Sequence, residues 1–323
     1  MKKVNNKKKI FVSGFSGSGK TTFAEKYQDQ FGIQHISFDA IWKYKENLTD
    51  QYHKITKQYG DEFITDAIPY IRDENNELVF LKDYYNNHKE DIKIIWTFCT
   101  DISELQKRRP DHTILENVEH FYDCNVTYIQ YINTFPDVDI EYYDSIKDEY
   151  VEYTEFQSRI REYLRNNFRS YLNSLTYDKN YGAIECIKFP GYTHSVNTWN
   201  NIKDLVDWKD KKVADLGCFH GYFGFKASQA GAKVTGLDKS PIVLKTTNII
   251  NYIEGEPLEL KVWEGGDEVS SDFDIVLALN VIHHFADLNK ALRNIKPKIV
   301  IFEVNQKEIE PISEVFNIVK KVN

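Results

Sequence analysis

At 323 residues, with 41% hydrophobic and 28% charged, the chain has material for two globular cores and no apolar run near the ~20 residues of a membrane span. A net charge of −8 argues against a protein that coats nucleic acid through general basicity. The four cysteines, Cys99, Cys124, Cys186 and Cys218, show neither C-x-x-C spacing nor a paired framework, which fits a reducing, cytoplasmic setting.

The leader from Met1 to Lys9 is lysine-rich, lacks the apolar stretch of a secretory signal and reads as a solvated leader or a nucleic-acid contact. Ile10-Phe11-Val12 then forms a short apolar strand, and Gly14-Phe15-Ser16-Gly17-Ser18-Gly19-Lys20-Thr21 satisfies G-x-x-x-x-G-K-[ST] at every fixed position. A helix-forming stretch from Thr22 follows, so backbone N–H groups and a helix dipole would face an anion. The contacts expected from this loop come from Gly14, Ser16, Gly17, Ser18, Gly19, Lys20, Thr21 and Thr22. Lys20 would reach the β- and γ-phosphates of ATP and the Thr21 hydroxyl would ligate Mg²⁺.

Further strands are expected at His35–Phe38, Glu62–Thr65, Lys93–Phe98 and Asp139–Tyr143, giving the alternation of a parallel α/β sheet. Asp39, followed by Trp42 and Tyr44, reads either as a carboxylate that orients or deprotonates an acceptor hydroxyl or as a helix cap. Asp66 closes an apolar run where a carboxylate can hold Mg²⁺ through water, with a plain loop acid as the rival reading. Arg108 and Arg109 could clamp a transferring phosphoryl group or lie as surface cations. On these residues the first part, about 9–145, resembles the P-loop kinases of nucleosides, nucleotides, sugars and polynucleotide 5′ ends. That resemblance places Asp39 near the acceptor and the two arginines in a lid. No N-K-x-D element supports a GTPase.

After a densely acidic stretch, Phe156, Ile160, Tyr163, Leu164, Phe168, Tyr171 and Leu172 recur at helical spacing. This helix reads as a connector, and its Arg159, Arg161, Arg165 and Arg169 read as a solvated face or a nucleic-acid contact. A second α/β series follows, with strands expected at Lys212–Leu216, Lys233–Leu237, Leu258–Trp263, Phe273–Leu279 and Ile299–Glu303.

In that series Asp215-Leu216-Gly217 runs through Phe219 and His220 to Gly221, and a second strand ends in Asp238. This is a Rossmann-like unit whose glycines allow close backbone approach and whose second acid can hold ribose hydroxyls. Asp215 would repel a pyrophosphate but suits a ligand with a cationic methionine moiety. With these residues the second part resembles the class I S-adenosylmethionine-dependent methyltransferases. Gly265-Gly266-Asp267 matches that family's acidic turn after the third strand, and the run from Phe273 through Asn280 to His283 and His284 its fourth-strand motif. The resemblance implies S-adenosylmethionine contacts from Asp215, Gly217, Gly221, Asp238, Asp267 and Asn280. His283 is the candidate base, with a hydrogen-bonded packing histidine as the bland reading. Phe219 stands where the family turn often has glycine. About twenty residues follow Glu303 where the family usually has two more strands, so the sheet is abbreviated, the chain is a fragment or another subunit completes the substrate pocket.

The expected organisation is therefore a P-loop domain over 1–150, a helical connector over 151–178 and a Rossmann-like methyltransferase domain over 179–323. The expected function is a bifunctional kinase and methyltransferase acting on a small hydroxylated metabolite such as a nucleoside, nucleotide or sugar. The first alternative acceptor is RNA or DNA, and the second alternative is a domain that binds its ligand without turnover.

Overall fold

The apolar runs become the strands of two separate sheets. The computed structural model describes residues 9–37, 54, 57–58, 60, 62–66, 70–72, 78–80, 85, 88–110, 114–177, 182–191, 194–297, 299–304 and 306–317. The chain divides into two units, Met1–Tyr171 and Leu172–Asn323.

In the first unit, β1 (Lys9–Gly14) leads through a glycine-rich loop into α1 (Lys20–Phe31). Next come β2 (His35–Ile36), β3 (Phe63–Thr65) and a short antiparallel pair, β4 (Tyr70–Arg72) with β5 (Leu78–Phe80). The unit continues with β6 (Ile92–Phe98), α2 (Ile102–Arg108), α3 (Ile114–Tyr122), α4 (Tyr128–Ile132), β7 (Ile140–Asp144), β8 (Glu149–Val151) and α5 (Tyr153–Ser174). The sheet order is β2-β3-β1-β6-β7-β8, parallel except for β8. Every residue of β1 and β6 is buried, as expected for central parallel strands covered on both faces. On one face Phe23, Ala24 and Tyr27 of α1 pack against Ile10, Val12, Ile64 and Ile95.

A π-helical turn, Asp123–Thr127, interrupts the path from α3 to α4. It has a local cause: buried Asn125 accepts the Trp96 indole N–H (3.0 Å) and donates to the Phe121 carbonyl (3.0 Å). Helix α5 lays its apolar face on this unit. Phe156 meets Phe98 and Tyr142, Tyr163 stacks on Phe121, and the Tyr171 hydroxyl donates to Glu119.

The second unit runs α6 (Ser195–Ile202), β9 (Lys212–Leu216), α7 (Tyr222–Gln229), β10 (Lys233–Asp238), α8 (Pro241–Ile253) and β11 (Leu258–Val262). It ends with β12 (Ile275–Leu279), α9 (Leu288–Asn294), β13 (Ile299–Glu303) and α10 (Ile309–Val315). All pairings in the order β11-β10-β9-β12-β13 are parallel. The strand order reverses between β9 and β12, and doubly wound sheets bind ligands at the carboxyl ends of strands beside such a reversal. Among the described residues no strand follows β13. Nor, among them, is any helix long and apolar enough to cross a membrane.

Candidate functional site

The first unit gathers its polar residues at the end of β1. Gly14 adopts φ 143°, and a Cβ there would lie 2.0 Å from the Thr97 carbonyl, so β6 and the loop could not coexist with a side chain. Lys20 Nζ donates to the Gly14 and Phe15 carbonyls, both at 3.1 Å. Burial lowers the Lys20 pKa, opposed by nearby Cys124 and Asp66 and reinforced by Arg109. The Ser18 side chain is committed to the loop's own structure, since its hydroxyl bonds Thr97 Oγ1 at 2.8 Å and Thr97 in turn donates to the Ser13 carbonyl. Thr22 is exposed on the first turn of α1.

Thr21 donates its hydroxyl to Asp66 Oδ2 at 2.6 Å, and Asp66 directly follows β3, the neighbour of β1 in the sheet. This contact leaves the Thr21 oxygen lone pairs to face a cation. The donor set is hard oxygen and suits Mg²⁺. Arg108 Nη1 donates to the Gly17 carbonyl (2.9 Å) and approaches Ser145 Oγ (3.4 Å), while its Nε bonds Glu104 (2.7 Å). A Cβ on Gly17 would meet Arg109 Cγ at 3.3 Å, so both arginines border the loop. Ser145, at the end of β7, belongs to this rim and carried no sequence signal. Asp39, Trp42 and Tyr44 lie outside the described residues.

In the second unit the loop after β9 forms the corresponding cradle. Gly217 has φ 65°, and a Cβ there would sit 2.4 Å from Val281 Cγ2, so only glycine lets the loops after β9 and β12 close together. Gly221 begins α7. Buried Asp215 accepts the Gly224 N–H at 3.0 Å. Desolvation pushes its pKa up to about 7, against the Gly224 hydrogen bond and with help from Asp238. Asp238 Oδ2 accepts the Phe219 N–H (3.1 Å) and Oδ1 the Ser240 N–H (2.9 Å), which orients the carboxylate and leaves each oxygen a further lone pair for a hydroxyl.

Phe219 takes a left-handed φ of 48°, at a cost of about 1–2 kcal/mol. Its carbonyl accepts the Thr247 hydroxyl (2.6 Å), and its ring stacks on His220 with centroids 4.0 Å apart. His220 Nε2 bonds the Tyr177 hydroxyl (3.1 Å), and burial lowers its pKa to about 3. His220 is therefore a neutral structural histidine. Tyr177 and Thr247 support the turn and had no motif to announce them.

Asn280 and His283 are exposed beyond the carboxyl end of β12, and the His283 and His284 rings lie 4.0 Å apart. Burial, then His283 and Lys239, lower the His284 pKa. Asp267 is exposed in the turn after β11, where a Cβ on neighbouring Gly265 would touch Phe285 at 3.1 Å. On α5, Arg159 is enclosed by Asp144, Glu149 and Glu155, which withdraws it from the row of cations expected to meet phosphates.

A family model described as a methyltransferase domain matches residues 214–299. The chain is similar to a tRNA U34 carboxymethyltransferase of Campylobacter fetus, at 31% identity over 101 residues, 30% of this chain and 36% of the relative. One from Campylobacter hominis is 32% identical over 101 residues, 30% of this chain and 35% of the relative. The chain spans about a third of the length of these curated relatives. Among solved structures, the bifunctional kinase-methyltransferase WbdD aligns at 20% identity and a TM-score of 0.36 over 43% of this chain and 36% of that one. The match over 214–299 spans the cradle from Asp215 to the loop after β12: the second unit contains a methyltransferase domain.

Proposed function

We propose that the second unit methylates a nucleic acid, with tRNA as the first acceptor to test, and that the first unit is an ATP- and Mg²⁺-dependent phosphoryl-transfer unit. The nucleic-acid assignment is carried by the relatives named above, whose names make them tRNA-modifying enzymes. S-adenosylmethionine supplies an electrophilic methyl group on a sulfonium. Asp215, Gly217, Gly221 and Asp238 hold this co-substrate, with Asp267 and Asn280 at the cradle's edge. The buried Asp215 carboxylate complements the cationic methionine end, and Asp238 takes the ribose hydroxyls. His283 stands at the mouth as the group able to accept a proton from the acceptor.

For the first unit, the Thr21–Asp66 hydrogen bond at the end of two neighbouring strands is the observation that supports the reading. Lys20 would leave its two carbonyls for the phosphates, with Arg108 and Arg109 beside the loop to offset the developing charge. Asp39 remains the acceptor-orienting carboxylate of this proposal. A second reading keeps the acceptor a small hydroxylated metabolite, favoured by the net charge of −8 and by the neutralised Arg159.

One experiment separates the acceptors. The full chain is incubated with methyl-labelled S-adenosylmethionine and either bulk tRNA or a nucleic-acid-free metabolite extract, with Asp238→Ala as control. Asp238-dependent label in tRNA, with affinity falling steeply as salt rises, is the expected result. Label only in the metabolite extract would overturn the nucleic-acid assignment. In parallel, γ-labelled ATP should yield a phosphorylated product that Lys20→Ala abolishes; product made equally by the variant would refute the phosphoryl-transfer role.

A further inference from the structure

The two oxygens of Asp66 face different neighbours. Oδ2 takes the Thr21 hydroxyl, while Oδ1 lies 3.5 Å from Nε2 of His35. The His35 side chain is only 10% exposed, and its Nε2 is buried without a hydrogen-bond partner. The residue is fixed from two sides. Its backbone N–H donates to Gln28 Oε1 of α1 at 2.6 Å, and it sits opposite Ile64 in the β2–β3 ladder, two positions before Asp66.

A buried ring nitrogen without a partner is costly, and the nearest way to satisfy this one is to complete the contact to Oδ1. The terminal torsion of an aspartate is broad, so a carboxylate tied at one oxygen can still swing. Tied at both, it keeps its plane. We propose that His35 is a positioning residue of the phosphate-loop site. It donates Nε2–H to Asp66 Oδ1, holding the carboxylate so that Oδ2 keeps the Thr21 hydroxyl turned with its lone pairs toward the metal. This role rests on the nucleotide-binding reading above. It resembles the outer partners of metal ligands, whose loss weakens metal affinity about 10–100-fold.

The rival is a ring that merely fills space, and two substitutions tell them apart. His35→Leu keeps bulk without a donor, whereas His35→Gln returns an N–H near the position of Nε2. Binding of a fluorescent ATP analogue to the full chain is titrated with Mg²⁺ and repeated in chelator. With His35→Leu the Mg²⁺ concentration at half-saturation should rise about tenfold. Affinity for the metal-free analogue, which also reports an intact loop, should not change. His35→Gln should restore the wild-type midpoint. Equal shifts in both variants, no shift in either, or loss of metal-free binding in His35→Leu would overturn the positioning role. If the wild type and Lys20→Ala both fail to bind the analogue, the nucleotide reading itself falls and this role with it.

Discussion

At the scale of single residues the methyltransferase cradle depends on one buried carboxyl and one missing Cβ. Burial pushes the Asp215 carboxyl up to about 7, well above the usual carboxylate range. A raised pKa means the folded state holds the proton more tightly. The associated stability is complete below about pH 4 and is lost as pH rises through 7. Asp215→Asn removes that dependence and should gain on the wild type by about 4 kcal/mol between pH 4 and pH 8, measured by denaturant unfolding of the ligand-free protein. S-adenosylmethionine affinity should strengthen through pH 7 in the wild type and stay flat in the variant. Gly217 tests the other requirement. Gly217→Ala forces a methyl against Val281 and should abolish cofactor binding, partly restored by Val281→Ala. Gly255→Ala shares the positive φ (94°) but meets nothing within 4 Å. It should cost only the backbone penalty of about 1–2 kcal/mol and leave calorimetric binding intact.

At the scale of elements, parallel sheets are legible because their strands are buried on both faces and read as continuous apolar runs. The strand expected at Lys212–Leu216 has those bounds, and that at Lys93–Phe98 begins one residue late. The expected Phe273–Leu279 overruns its strand by two residues, because the Asp274 backbone and side chain instead bond the start of β9. β8 escaped notice: a three-residue antiparallel edge has too little alternation to stand out. The π turn was equally silent, since one asparagine bonding a tryptophan 29 positions away has no local pattern. Asn125→Ala strands that buried indole N–H and should destabilise the first unit by about 1–3 kcal/mol in thermal unfolding. Glycine spacing located both site loops, but not what surrounds them. Ser145, Tyr177 and Thr247 arrive through tertiary packing, and the left-handed Phe219 breaks the residue preference that would have marked its turn.

At the scale of the whole chain, each unit has its own sheet and its own glycine-rich loop, so each proposed site can be tested by its own substitution. The sequence suggests a helical connector over 151–178 between the two parts. The division into two compact units falls after Tyr171, inside the 22-residue helix α5. Phe156, Ile160, Tyr163, Leu164 and Phe168 are all buried, and the rings of Phe156 and Tyr163 meet partners from the first unit.

That location dictates how the protein can be cut. A methyltransferase fragment begun at residue 151 would drag along a greasy stripe torn from its bed, and it should self-associate during size-exclusion chromatography. A fragment begun at residue 173 leaves the stripe behind and should elute as a discrete species. The matching amino-terminal fragment should stay monodisperse when it stops after residue 172 and precipitate when it stops at 150. Proteases should report the same hierarchy, sparing the middle of α5 in the intact chain while cleaving it readily once the first unit has been removed.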